Sequence, residues 1–561
     1  MKNINFKWPL LFATFACALS SCESDLEIVP IEQQVLEQVF DTKDSAGVNA
    51  NRFLTDCYRF LPETGNRVGG DFLDAGTDDA LSSNPTNTSV QQLALGTYTA
   101  DSYPDNRWGS FYRGIRKTNI FIHNIDRVPL KGQLQNGTPL KRVWKAEAKF
   151  LRALFYFELL KRHGGIPLLG DEVYQLDDNI ELSRSSFQQC VDYIAAECDA
   201  IKDSLRTDPF DLPNYGRPTK AAALALKSRL LLYAASPLFN GENIDGQNPL
   251  TGYADFSIER WQLAENAAMD VMDLNLFLLE SEFTNVFITR NKERIFAKQG
   301  DNNTSVENNN GPVGYAAGIN NGRTSPTQEL VDAFGMENGL DITDPNSGYN
   351  AEEPYLGRDK RFYATVFYNG AMWLGRPVET FEGGSDKPGG SQQQTKTGYY
   401  LRKFMGDFES SVNYSNVNHD HILFRYGEIL LNFAEARNER LSAPDGSVYA
   451  AVERIRERAG LAPFALAGGL SKSQMREIIR QERRKELAFE EHRFYDVRRW
   501  KIAEDQFDKE LHAAVIYQTS TGTIRQTVPV LQMKFETRMY LAPIPFSEVI
   551  KNPQMEQNPG W

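Results

Sequence analysis

Apolar side chains recurring at intervals of three and four residues fill two stretches of this 561-residue chain and vanish from the stretch between them. Ala146, Phe150, Ala153, Leu154, Phe157 and Leu160 form one stripe of a helix, which Gly164, Gly165 and Pro167 stop. The same periodicity predicts helices over about 45–61, 106–127, 139–162, 184–205, 219–236 and 257–274. It returns over 421–440, 446–459, 472–490 and 492–505, with Leu423, Tyr426, Leu430, Phe433 and Arg437 marking the face of the first of these. From about 280 to 415 the sequence turns polar and rich in Asn and Gly, as in Asp301 to Thr304, Asn308 to Gly311 and Gly383 to Gly390, and no helix is expected there. A long irregular segment on a helical scaffold points to function, because rigid helices can present loop side chains. Spacing alone reveals no 34-residue repeat.

The amino terminus carries a different signal. Basic Lys2 and Lys7 precede the apolar run Trp8 to Leu19, then Ser20, Ser21 and Cys22, which is the pattern of a secretory leader. Leu19, Ser20, Ser21 and Cys22 match the lipobox of bacterial lipoproteins, in which the cysteine thiol becomes thioether-linked to diacylglycerol. The apolar run is too short to span a bilayer, so membrane attachment would rest on several acyl chains at Cys22. Glu23, Asp25 and Glu27 resemble a surface-export signal and read equally well as a solvated acidic linker. Of five cysteines, Cys17 leaves with the leader and Cys22 is lipidated; Cys57, Cys190 and Cys198 are expected in the core. Cys190 and Cys198 lie eight apart on one predicted helix, roughly 12 Å, too far for a disulfide. A net charge of −13, more negative still without Lys2 and Lys7, excludes a polyphosphate or nucleic-acid partner.

Five segments, 146–169, 220–241, 424–436, 482–500 and 541–561, resemble the signature blocks of the SusD/RagB family, in that family's order. The resemblance implies a mainly α fold, with tetratricopeptide-like helix pairs in an α/α superhelix supporting a large irregular carboxy-terminal half. It also implies a non-enzymatic receptor, lipid-anchored in the outer membrane and exposed at the cell surface. Such a receptor captures an oligosaccharide, or in some relatives a peptide, for a SusC-like TonB-dependent transporter. On this reading the chain divides into a leader at 1–21, an anchored linker at 22–45, a helical part at 46–280, ligand-binding loops at 281–420, and helices with an extended tail at 421–561. The acids and arginines alternating over 482–500 read as an ion-paired helical corner, and the prolines of 541–561 as a tail that clamps the scaffold.

A surface glycoside hydrolase is the rival reading. No G-x-S-x-G, H-E-x-x-H or Walker-type motif occurs, although 74 acidic residues could still hold a catalytic pair. No catalytic residue and no cofactor is assigned. His419 and His421 lack a third metal ligand, and Asp420 between them is expected to cap the following helix. Asp344, Asn346, Gly348, Asn350 and Glu352 place oxygens at alternate positions without an EF-hand register, so Asx turns are expected. Glycan capture needs aromatic faces with polar groups beside them. The candidates are Trp373 among glycines, Tyr315 in the Gly-rich stretch, Trp108 at a helix start, and Asp71 and Asp79 in a polar loop. For each the core or turn reading stays open, most of all for Trp108.

Overall fold

The computed structural model describes residues 35–84, 88–175, 178–315, 320–410, 412 and 414–561; the leader, Cys22 and the acidic cluster at 23–27 lie outside them. The principal helices of the first half are α1 (Val48–Cys57), α2 (Trp108–Asn124), α3 (Leu140–His163), α4 (Phe187–Ile201), α5 (Lys220–Ala235) and α6 (Glu259–Met272). Strand β1 (Arg294–Lys298) and the short helix α7 (Gln328–Ala333) follow. The second half has β2 (His421–Arg425), α8 (Tyr426–Arg440), α9 (Gly446–Arg458), α10 (Lys472–Glu486), α11 (His492–Arg499) and the hairpin strands β3 (Glu510–Thr519) and β4 (Gly522–Gln532).

Successive helices pack on one another: α2 on α3, α3 on α4, α4 on α5, α5 on α6, then α6 on α8, with α9 and α10 against α8. These eight helices are the paired scaffold that the resemblance implied. The partner of α6 comes only after the irregular segment, so residues 273–425 open out of one helix pair and return to close it. Helix α5 is apolar almost all round, with only Lys220 and Lys227 outside the interior, which suits its place between α4, α6 and α8. Helix α3 starts after Pro139 and ends at Gly164 in a left-handed conformation; a Cβ there would lie 2.4 Å from the Leu250 carbonyl oxygen. The three cysteines are buried and free.

Six features differ from the sequence expectations. Residues 421–425 form a strand antiparallel to β1, and α8 starts at Tyr426. Asp420 caps nothing: its carboxylate accepts from Arg294 Nη1 at 3.1 Å and from the Gly300 amide at 3.0 Å, tying it to β1 and the residues just after it. The predicted helix over 492–505 breaks after α11, where Lys501 is left-handed, before a short helix Ala503–Phe507. Short helices do occur in the irregular segment: Ser305–Asn310, α7 and Lys360–Thr365. Capping by Thr327 and Asp359 starts the last two, and six residues are too few to show a 3.6-residue period. The hairpin β3–β4 has no counterpart in the periodicity reading, and the tail carries one helical turn, Phe546–Lys551, between its extended parts. That tail clamps as expected, with Asn558 Nδ2 donating to the carbonyls of His163 and Ala542.

The 482–500 corner is ion-paired and also buried. Glu486 accepts from Arg425 at 2.7 Å, from Arg361 at 3.2 Å and from Arg458. Arg425 also reaches Glu293 and Glu490, each at 2.6 Å. Asp496 pairs with Arg483 and Arg499, while Arg484 and Arg493 reach back to Asp78. Burial alone would raise the Glu486 carboxyl, but Arg458, Arg425 and Arg361 outweigh it and hold it far below the ordinary 4.5. Because the folded-state value is depressed, this stabilisation is fully present above about pH 4.5 and is lost as the pH falls further. Arg425→Ala takes one cation from each of Glu293, Glu486 and Glu490, leaving them to Arg458, Arg361 and Lys403, and is expected to cost about 3–5 kcal/mol in urea unfolding at pH 7. The same variant is expected to lose part of the wild type's fall in stability below pH 4.5.

Candidate functional site

The structure brings Trp373 and Tyr315 together and turns both inward. The Tyr315 ring lies 4.8 Å from that of Trp373, which also packs on Phe367 and Tyr414. Trp373 is 4% exposed and Tyr315 0%, so neither offers a free ring face. The Tyr315 hydroxyl donates to the carbonyls of Trp373 and Arg376, at 3.1 and 2.9 Å, and the Arg376 guanidinium covers its ring at 3.6 Å. The glycines flanking Trp373 serve to turn the chain, with Leu374 and Gly375 both left-handed, and the outward residue of that turn is Met372. Trp108 is buried against Tyr112 and His163, which is its core reading.

The two aspartates are likewise interior, where a polar loop was expected. Asp79 accepts from Arg484 Nε at 2.8 Å and thereby fastens its loop to α10. Asp71 accepts from Ser82 Oγ and Arg323 Nε, at 3.0 and 3.2 Å, and its other oxygen is buried without a partner among the described residues. Burial pushes the Asp71 carboxyl up to about 6. As they stand, none of the five side chains presents a surface to a sugar.

Aromatic faces with polar neighbours meet instead in a cleft of about 420 Å³ between the loop around 349–369 and the β3–β4 hairpin. Its wall is built on buried Arg358, which donates to the carbonyls of Pro354, Val331, Phe334 and Gly335 and so fixes the loop against α7. Fastened this way, Tyr355 and Tyr368 lie half-buried with centroids 4.5 Å apart, over the buried ring of Phe362. Across from them the hairpin supplies Ile516 and its register partner Arg525, with Thr523 nearby. Arg525 Nη2 donates to Gln328 Oε1 at 2.9 Å and to the Tyr399 hydroxyl at 3.0 Å, and its guanidinium lies 5.3 Å from the Tyr355 centroid. Tyr355 donates to Tyr399, which donates to Gln328, so one chain of hydrogen bonds sets the positions of ring and cation. Burial raises both tyrosines, and their phenols stay neutral at physiological pH. Glu352, Glu353, Leu356 and Asn369 complete the lining.

Other clefts of similar size carry less of this chemistry. One of about 450 Å³ among α5, α6, α8 and α10 has Trp261 and Trp500 in its walls, but both rings are buried and Arg476 is held bidentately by Glu439. Another, of about 410 Å³, contains His419 and His421. His419 pairs with Glu307 at 3.0 Å and His421 turns to the Thr64 backbone, so the two imidazoles have different partners. Among the described residues no group of three or more His, Cys, Asp or Glu could hold a metal ion. In the 344–352 loop, Asp344 and Asn350 each accept from the backbone amide two residues on, which is Asx-turn geometry.

The sequence reading missed Tyr355, Tyr368 and Arg525. Tyr355 and Tyr368 stand in the irregular stretch as Tyr315 does and met the same criterion. Arg525 carried no signal, because its hairpin was not foreseen.

Comparison with known proteins adds relatives across nearly the whole chain. Residues 284–561 match the family described as SusD family, and residues 36–232 match one described as starch-binding associating with outer membrane. SusD-like protein P2 of Formosa agariphila is 26% identical, over 99% of this chain and 100% of its own. A SusD-like protein from Bacteroides fragilis superposes with a TM-score of 0.77 at 27% identity, covering 94% of this chain and 100% of that one. A laminarin binding SusD-like protein superposes at 0.62 and 20% identity, covering 92% and 100%.

The inward aromatic cluster generates a stability prediction. Trp373→Ala removes a ring that packs on three others and is expected to cost about 3–5 kcal/mol in urea unfolding. A variant with wild-type stability would show that the ring is not core.

Proposed function

The chain belongs to the SusD/RagB family, and from that premise we propose that it is a non-catalytic surface receptor that captures glycan and passes it to a TonB-dependent outer-membrane transporter. The observation that carries the proposal is the Tyr355–Tyr368–Arg525 cleft. Half-buried rings can stack on the apolar C–H face of a sugar while guanidinium, amide and carboxylate groups meet its hydroxyls. A structural relative described as laminarin binding, and a matching family described as starch-binding at the outer membrane, support carbohydrate as the ligand class. The lipobox at Cys22 supports attachment to that membrane through lipid. Capture of peptide, or cleavage of the glycan, are the readings that experiment separates from this one.

Incubation of the full mature chain, solubilised in detergent, with a polysaccharide panel is expected to give retention without release of reducing ends. Tyr368→Ala should weaken the retained glycan tenfold or more, since loss of a stacking hot spot costs about 2 kcal/mol, with urea unfolding showing that the variant is still folded. Reducing ends released at a rate tied to the protein would overturn the non-catalytic assignment. Cys22→Ala is expected to leave the membrane fraction, and the wild-type protein to co-purify with a large β-barrel transporter in mild detergent.

A further inference from the structure

We propose that this cleft selects an anionic sugar, whose carboxylate or sulfate ester is met by Arg525; the inference rests on the reading of the cleft as a glycan site. Buried guanidinium groups elsewhere in the described structure are satisfied in one of two ways: Arg184, Arg358 and Arg498 by backbone carbonyls and an amide oxygen, others by acids. Arg361, Arg425, Arg458, Arg483 and Arg499 each pair with one or more buried carboxylates. Arg525 fits neither group: it stands partly buried in the wall of a cleft, and among the described residues only its Nη2 makes hydrogen bonds, both to neutral side-chain oxygens, of Gln328 and Tyr399, while its Nε is buried without a partner.

A guanidinium keeps its proton at any physiological pH, so Arg525 cannot relieve the cost of desolvation by becoming neutral. A ligand anion supplies the missing counter-charge, and its two oxygens match the guanidinium fork. Three acids lie near enough to matter. Glu352 and Glu353 line the same cleft but are exposed, where solvent and salt screen them. Asp332 makes no direct hydrogen bond to Arg525 among the described residues; the Gln328 amide stands between them, its Nε2 donating to Asp332 at 2.7 Å and its Oε1 accepting from Arg525. The rings therefore recognise a sugar face in general, while Arg525 distinguishes a charged sugar from a neutral one.

The test measures binding of alginate oligosaccharide (carboxylate), carrageenan oligosaccharide (sulfate ester) and laminari-oligosaccharide (neutral) to the full mature chain in detergent at low salt. At least one charged probe is expected to bind tenfold or more tighter than the neutral one, with the margin shrinking as salt rises. Which charged probe binds tells carboxylate from sulfate. Arg525→Gln should bring the charged probe down to the neutral level, Arg525→Lys should keep part of the preference, and urea unfolding identifies the variants as folded. Preference for the neutral probe, no binding of either charged probe, or an equal loss for charged and neutral probes in Arg525→Gln overturns the proposal. Failure of the underlying reading looks different: Tyr368→Ala would then leave every probe's affinity unchanged.

Discussion

Three guanidinium groups converge on Glu486, and each comes from a different part of the chain: Arg361 from the irregular segment, Arg425 from the end of β2, and Arg458 from α9. Deep in the protein such a cluster is tolerated only if every charge finds its partner, so the three segments can meet in one arrangement and in few others. Hydrophobic residues of similar volume could pack there with no loss of stability, but they would not impose that selectivity. Arg361 lies beside Phe362, the ring on which Tyr355 and Tyr368 rest. The ion cluster thus reaches the candidate cleft through a single residue step, which gives loop side chains the fixity of the helical scaffold.

Opening one helix pair to admit residues 273–425 is the second constraint. The entropic cost of closing a loop grows slowly with its length, so a scaffold already able to join α6 to α8 can carry a long insertion. The insertion supplies its own core. Phe362, Phe367, Trp373, Tyr315 and Tyr399 are all buried, and Arg358 ties four carbonyls together. Aromatic residues in a Gly- and Asn-rich sequence are here the material of that local core before they are material for binding.

This explains which parts were legible in sequence. Helices of ten residues or more show enough turns for an apolar stripe to declare itself, and α1 to α6 and α8 to α10 lie where the spacing put them. The start of α8 was misjudged because His421 to Arg425 continue the same apolar pattern while pairing with β1. Trp373 and Tyr315 were singled out as aromatics in Gly-rich, irregular sequence, but an irregular segment can bury a ring without any period. Arg525 was invisible because its role depends on Gln328 and Tyr399, brought beside it from far along the chain. The ion-paired corner was legible as pairing but not as interior, since alternating acids and bases look alike on a solvated surface and in a matched core.

The hold of Asn558 on the His163 carbonyl joins residues 395 apart in sequence. The His163 carbonyl also accepts from Arg184, close in sequence, but the Arg162 carbonyl before it takes the Ala542 amide at 2.7 Å, so a polypeptide made amino-terminus first carries the end of α3 without these later partners while hundreds of residues emerge. Contacts of such long sequence separation form slowly, because chain entropy is lost before they can reward it. The first helix pair is thus among the earliest parts to appear and among the last to be finished.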